Sequence, residues 1–178
     1  MKKRAIILID GSNFYFKLKD LKLNHIPFDF SALGKLLAKD YHLVDAIYYV
    51  GAVRQDRTEG TKKMFANQRR LLSQLKKHKF RYSLGYLLIS GGRFHEKGVD
   101  VNIAVEMLVA TYENQCDKII LVSSDTDLIP AIKKAKEKGK IVEYIGFSHQ
   151  PSVAMVASCS SSRLLTKEDL EKFVLKSQ

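Results

Sequence analysis

Ala5-Ile6-Ile7-Leu8-Ile9-Asp10-Gly11-Ser12-Asn13 is an unbroken apolar run that stops at a bare carboxylate and a glycine. Such a run reads as a strand buried on both faces of a parallel sheet. The pattern returns at Ile119-Ile120-Leu121-Val122-Ser123-Ser124-Asp125-Thr126-Asp127. A third acid, Asp100 in Lys97-Gly98-Val99-Asp100-Val101-Asn102, stands at the start of a helical pattern. In open α/β sheets, ligands bind outside the carboxyl ends of the strands. Acids gathered there repel one another unless a cation neutralises them. Hard oxygen donors with no Cys or His nearby suit Mg2+ or Mn2+.

Around this acidic set the chain is strongly basic, with a formal charge of +11 and a pI near 9.6 over 178 residues. That length suits one domain, 1–178, with a real core. The charge favours polyanionic partners, chiefly nucleic acid, although solubility alone accounts for a moderate excess. Cys116 and Cys159 are far apart and fit no disulfide framework or zinc spacing, so a reducing, cytoplasmic setting is expected. Met1-Lys2-Lys3-Arg4 resembles the start of a signal peptide, but Asp10 interrupts the apolar run too early for one. No stretch reaches transmembrane length, and no membrane partner is expected.

Strand-like runs alternate with amphipathic segments, the pattern of helices packed on a mainly parallel sheet. Strands are expected at about Arg4–Ile9, Val44–Val50, Phe80–Ile89, Lys118–Val122 and Lys140–Ile145. Helices are expected from Asn13 toward Leu23, over Ala32–Lys39 with Ser31 as N-cap, and over Glu59–Lys79, Asp100–Tyr112 and Thr126–Lys138. Met64, Phe65, Leu71, Leu72 and Leu75 form the apolar side of the Glu59–Lys79 helix. Gly91-Gly92 marks a turn and Gly139 a helix C′ residue. After a Ser-rich segment, Ser158–Ser162, a last helix runs over about 166–175, with Thr166 and Asp169 as a capping box.

Each acid also has a purely structural reading. Asp10-Gly11 is a common turn pair, and Asn13 is suited either to cap the following helix or to hold a phosphate or a metal-bound water. Ser124 with Asp127 resembles a capping box. That explains Asp127 but leaves Asp125 as a second acid at a strand end, so Asp125 is the better ligand candidate. Asp100 also fits a helix first turn. Glu106, six residues on, points away from the Asp100 face and is left out. Lys97 lies near enough to contact a phosphate, although an exposed lysine is its ordinary reading.

Lys62, Lys63, Arg69, Arg70, Lys76 and Lys77 recur at a seven-residue step and form a basic stripe. Lys133, Lys134, Lys136, Lys138 and Lys140 make a second basic region. A solvated helix face is the ordinary meaning of such charge; phosphate attraction is the functional one. Phe14, Tyr15 and Phe94 suit either base stacking or the core. Phosphate-loop, dinucleotide and nucleophile-elbow motifs are absent, and the five histidines show no metal-ligand spacing.

Taken in order, Ile9-Asp10-Gly11-Ser12-Asn13, Lys97-Gly98-Val99-Asp100-Val101 and Ser123-Ser124-Asp125-Thr126-Asp127-Leu128 through Gly139-Lys140 resemble the NYN-domain family of PIN-like nucleases, particularly its bacterial LabA-like branch. The resemblance implies a Rossmann-like, PIN-like three-layer α/β/α sandwich. It also implies Mg2+- or Mn2+-dependent RNA cleavage, with Asp10, Asp100, Asp125 and Asp127 as the metal-binding acids and Asn13 as a helper. Ser124 replaces a frequent glycine of the family, and Glu106 a frequent aspartate.

The expected activity is a ribonuclease that leaves a 5′-phosphate and a 3′-hydroxyl. RNA is the expected partner, single-stranded DNA is a second candidate, and a homodimer is an expected assembly. Two rivals stand beside it. One is a non-catalytic RNA-binding or regulatory module. The other is a Mg2+-dependent phosphatase acting on a small substrate, although that chemistry wants Asp-x-Asp on the first strand.

Overall fold

The computed structural model describes residues 2–23, 26–53, 59–90 and 93–175. Among the described residues, seven strands form one sheet: β1 (Arg4–Asp10), β2 (His42–Ala52), β3 (Arg81–Ser90), β4 (Arg93–Lys97), β5 (Lys118–Val122), β6 (Ile141–Phe147) and β7 (Ser161–Leu165). Their order is β4-β3-β2-β1-β5-β6-β7. All neighbours pair in parallel except β3 and β4. The helices are α1 (Gly11–Asp20), α2 (Phe30–Leu37), α3 (Glu59–Lys77), α4 (Val99–Tyr112), α5 (Ile129–Glu137), α6 (Val153–Ser158) and α7 (Lys167–Glu171).

The apolar runs of β1 and β5 sit side by side at the centre and are buried on both faces. Alternate residues feed two cores. Ala5, Ile7 and Ile9 of β1 pack with Phe14, Phe28, Phe30 and the α3 residues Leu71 and Leu75. Ile6 and Leu8 pack with Ile103 and Met107 of α4, Ile132 of α5 and Met155 of α6. Period-two alternation therefore splits one strand between two layers of helices, which gives the expected α/β/α sandwich. Among the described residues, no helix is long and apolar enough to cross a membrane.

Several local expectations change. Asp29, not Ser31, caps α2, accepting the Ala32 N–H at 2.9 Å. Phe30 enters the core as the first helical residue and starts the helix two residues earlier. The 126–138 helix opens as a 3-10 turn, Thr126–Leu128, before α5, where Pro130 occupies a first-turn position that needs no N–H. The edge strand β4 was not expected, because Arg93–Lys97 lacks an apolar run. The Ser-rich segment runs from the last residue of α6 through a bend at Cys159-Ser160 into β7; β7 is an edge strand held to β6 through its backbone, with most of its residues exposed or half-buried. The final helix stops at Glu171, but its Thr166–Asp169 capping box is present. The Gly91-Gly92 turn falls outside the described residues.

Candidate active site

Winding outward from β1, the chain lays β2, β3 and β4 on one side, then crosses to lay β5, β6 and β7 on the other. The switch point lies between β1 and β5, where a crevice opens at the carboxyl ends of the strands. Asp10 ends β1 and Ser123-Ser124-Asp125 follows β5, so both acidic motifs meet there.

Ser123 ties them together. Its buried hydroxyl donates to Asp10 Oδ2 (2.9 Å) and accepts the Asp125 N–H (3.1 Å). Asp10 Oδ1 accepts the Asn13 N–H (3.0 Å), which makes Asp10 the N-cap of α1. Asp125 Oδ1 accepts the Asp127 N–H (2.9 Å) and caps the 3-10 turn. The capping arrangement expected of Ser124 and Asp127 is thus replaced by one centred on Asp125. Capping and ligation are compatible here, because each carboxylate oxygen carries a second lone pair.

Asp100 reaches the same crevice from the start of α4. Gly98, at φ 79°, turns the chain from β4 into α4 through a left-handed conformation that suits glycine, and Asp100 sits in the first helical turn. Asp10, Asp100 and Asp125 then line one polar cleft of about 240 Å3, together with Lys97, Gly98 and Val99. Asp127 is exposed and outside this lining, and the Asn13 side chain is not part of it. Asn13 Oδ1 is buried with no hydrogen-bond donor among the described residues, an acceptor that a water would satisfy.

Asp10 is only 8 % exposed. Burial pushes its carboxyl above the ordinary range; the Asn13 and Ser123 hydrogen bonds pull it back, and the Asp125 charge pushes it up again. A buried, strained-to-ionise carboxylate beside a second one is what a cation would relieve. Among the described residues, however, no three His, Cys, Asp or Glu side chains gather tightly enough to hold a metal ion by themselves. The donor chemistry, three carboxylates lining one polar cleft, fits a hard divalent cation.

Comparison with known proteins narrows the assignment. The NYN domain profile matches residues 4–165, nearly the whole chain. The chain belongs to the NYN-domain family. A crystal structure of a Vibrio parahaemolyticus protein of unknown function, VPA0982, superimposes on this NYN domain with a TM-score of 0.73. It covers 98% of this chain and 97% of that one at 22% identity, so the likeness is one of fold. The uncharacterized protein MJ0482 of Methanocaldococcus jannaschii is 38% identical over 80 residues. That match spans 42% of this chain and about a third of the relative.

Two residues of this NYN domain gain a role that sequence reading did not assign. Ser123 is one. Ser124 is the other: its hydroxyl hydrogen-bonds Tyr144 Oη (3.0 Å), which also accepts the Ser152 N–H at the start of α6 (3.1 Å). The serine therefore anchors the acidic turn to a neighbouring helix. Glu106 pairs with Arg81 (3.5 Å), which also binds Asp45.

The basic residues do not form one surface. α3 packs on the Phe14 side of the sheet and α5 on the opposite side. Lys133 is exposed, but Lys134 is paired with Glu137 (2.6 Å). On α3, Lys62 pairs with Glu59 (2.6 Å) and Lys76 lies over the Tyr82 ring (5.5 Å), while Lys63 is exposed. Arg69, Arg70 and Lys77 border a broad recess of about 580 Å3. Phe14 is core, and the Phe94 side chain lies outside the described residues.

Gly11 holds the turn in place. A Cβ there would collide with the Tyr48 ring and stand 2.5 Å from the Tyr49 carbonyl oxygen. Gly11→Ala is expected to cost about 1–3 kcal/mol, the usual range for overpacking. Thermal unfolding checks it: melting should fall by several degrees, roughly 2–4 °C per kcal/mol at this size.

Proposed function

We propose that this NYN domain is a divalent-metal-dependent ribonuclease that hydrolyses RNA phosphodiester bonds in the cleft between β1, β5 and α4. The observation that carries this reading is the convergence of Asp10, Asp100 and Asp125, from three separate elements, on one polar cleft at the switch point. These three carboxylates would hold Mg2+ or Mn2+, with Asp127 contributing from the rim through water. A bound cation supplies activation of water near neutral pH and neutralises charge on the scissile phosphate.

The chain's own groups do the positioning. Ser123 fixes Asp10 and Asp125 relative to each other, and the Asp10 cap aligns the start of α1. Lys97, on the cleft wall, is placed to hold a phosphate oxygen. The order of the three motifs supports membership of the LabA-like branch. The second reading is a non-catalytic RNA-binding role, favoured by exposed basic residues of α3, Lys63, Arg69 and Arg70, that do not line the cleft.

A circularised, labelled RNA separates the readings. Linearisation in Mn2+ with a 5′-phosphate product is the expected result and marks an endonuclease. Degradation of linear RNA alone marks an exonuclease. Neither, with binding retained, would establish the non-catalytic role.

RNA binding itself should be salt-dependent. Single strands lose affinity with a slope of about −0.7 per phosphate contact. Replacing Arg69 and Arg70 together by Gln is expected to flatten the log–log salt plot by roughly 1.4, leaving the cleavage rate at saturating RNA unchanged. Filter binding at several salt concentrations measures the slope.

A further inference from the structure

We propose that the recess on the far side of the Asp10–Ser12 turn is a nucleobase pocket, receiving one base of the RNA strand whose phosphate lies in the acidic cleft; this rests on the ribonuclease reading above. The recess holds about 230 Å3 and is lined by Gly11, Ser12, Tyr15, Tyr48, Met64 and Asn67, among others. That is below the roughly 300–1,000 Å3 of sites for drug-sized ligands and suits a single planar ring system.

Its construction matches a flat, apolar ligand with a polar edge. The floor is Tyr48 and Leu71, both buried. Tyr15 from α1 is 36 % exposed and Met64 from α3 is 39 % exposed, so two large apolar side chains stand on the rims without being core. Aromatic faces and polarizable thioethers are what bases stack against. Gln68 is already spent: its amide bonds Gly51 O (2.7 Å) and the Val53 N–H (2.9 Å), locking α3 to the end of β2. Asn67, the adjacent amide, is exposed at the rim and offers the donor–acceptor pair that reads a base edge.

Location supplies the substrate. Asp10 lines the acidic cleft, while Gly11 and Ser12 line the recess, so the two cavities share one turn. Two peptide units separate Asp10 from Ser12, at most about 7.6 Å between Cα atoms, a span of the order of one nucleotide. Tyr48 Oη donates to the Gly11 carbonyl (3.2 Å), so the floor of the pocket and the turn that carries Asp10 are fixed to each other.

The test uses protein labelled with 13C-methyl methionine, with the Met64 signal assigned by Met64→Leu. In EDTA it is titrated with AMP, GMP, CMP, UMP, ribose 5-phosphate, a short single-stranded RNA and the same RNA made abasic. A saturable Met64 shift with RNA and at least one nucleotide, but not with ribose 5-phosphate, is expected. Base-bearing RNA should bind tighter than abasic RNA by roughly five- to 150-fold, the range of one base stack. Asn67→Ala and Tyr15→Ala, chosen as exposed and checked for wild-type melting, should erase most of that preference.

A Met64 signal unmoved by every probe, or equal binding of abasic RNA, would overturn the pocket. A shift with nucleotides but not with RNA would identify a free nucleotide as the occupant and overturn the RNA assignment. Failure of the nuclease reading shows separately, as absent cleavage with the Met64 shift intact.

Discussion

Asp10→Asn is expected to raise the melting temperature of the cation-free protein while lowering RNA cleavage by more than about a hundredfold. Loss of a mere supporting partner of a metal ligand typically costs 10–100-fold, and Asp10 is the most buried acid of the cleft. The same burial makes it a burden when no cation is bound. Asparagine keeps an acceptor for the Asn13 N–H and can donate to Ser123 Oγ, two of the partners that Asp10 has now. Only the buried charge is lost.

The pH dependence follows from the direction of the shift. The Asp10 carboxyl is raised above its ordinary 3.8, chiefly by burial. Between that ordinary value and the raised one, the folded state binds more protons than the unfolded state. Stability therefore falls as pH climbs through that window, and the penalty is complete above it. Wild type and Asp10→Asn should melt together in acid and diverge toward neutral pH, with the variant higher. Added Mn2+ should close the gap from the wild-type side: a ligand at a hundred times its Kd adds about 2.7 kcal/mol, or roughly 5–10 °C here. Differential scanning fluorimetry across pH, with and without Mn2+, reads all three effects.

The second large effect lies at the other end of the sheet. Glu143→Ala should cost about 3–5 kcal/mol, the usual penalty for breaking a buried ion pair. Lys118 opens β5 with its ammonium 2.9 Å from Glu143 Oε2 and over the Tyr41 ring, and both partners are buried. Arg163 of β7 reaches the same carboxylate (3.1 Å) and so joins the edge strand to β6. Removing Glu143 strands Lys118 without an anionic partner, and melting should fall by roughly 10 °C. Lys118→Met combined with Glu143→Leu should recover most of the loss, because an apolar pair of similar volume is often neutral. A double-mutant cycle by thermal unfolding checks both figures, and cleavage per folded molecule should be unchanged.

The parts of this fold legible in the sequence are those with two buried faces. β1 and β5 could be read from Ile6–Ile9 and Ile119–Val122 because a central parallel strand needs apolar side chains at every position. β4 and β7 could not: edge strands are held mainly by backbone pairing, and Arg93–Lys97 and Ser161–Leu165 carry too few apolar residues to declare it. The three acids of the cleft could be singled out because they recur where apolar strands end or helices begin, although each position also suits a cap or first-turn acid. Ser123 was not, since nothing local distinguishes a serine that bridges two aspartates from one in a turn. The capping of the turn by Asp125 rather than Ser124 depends on Tyr144, twenty residues away in sequence, drawing the Ser124 hydroxyl aside.

The basic stripe of α3 was visible in its spacing, but its separation from the α5 lysines was not. Crossovers that leave the switch point in opposite directions place their helices on opposite faces of the sheet. Lys133 therefore cannot extend the track begun by Lys63 and Arg69. On the ribonuclease reading proposed above, RNA binding would then fall to α3 and the carboxyl edge of the sheet rather than to α5.

The most direct measurement is single-turnover cleavage of end-labelled single-stranded RNA in Mn2+, Mg2+ or EDTA by wild type, Asp10→Asn and Asp125→Asn. Products that form with wild type and either cation, vanish in EDTA and fall sharply in both variants are the expected result. Cleavage that persists in EDTA, or survives undiminished in both variants, would contradict a catalytic role for the cleft between β1, β5 and α4.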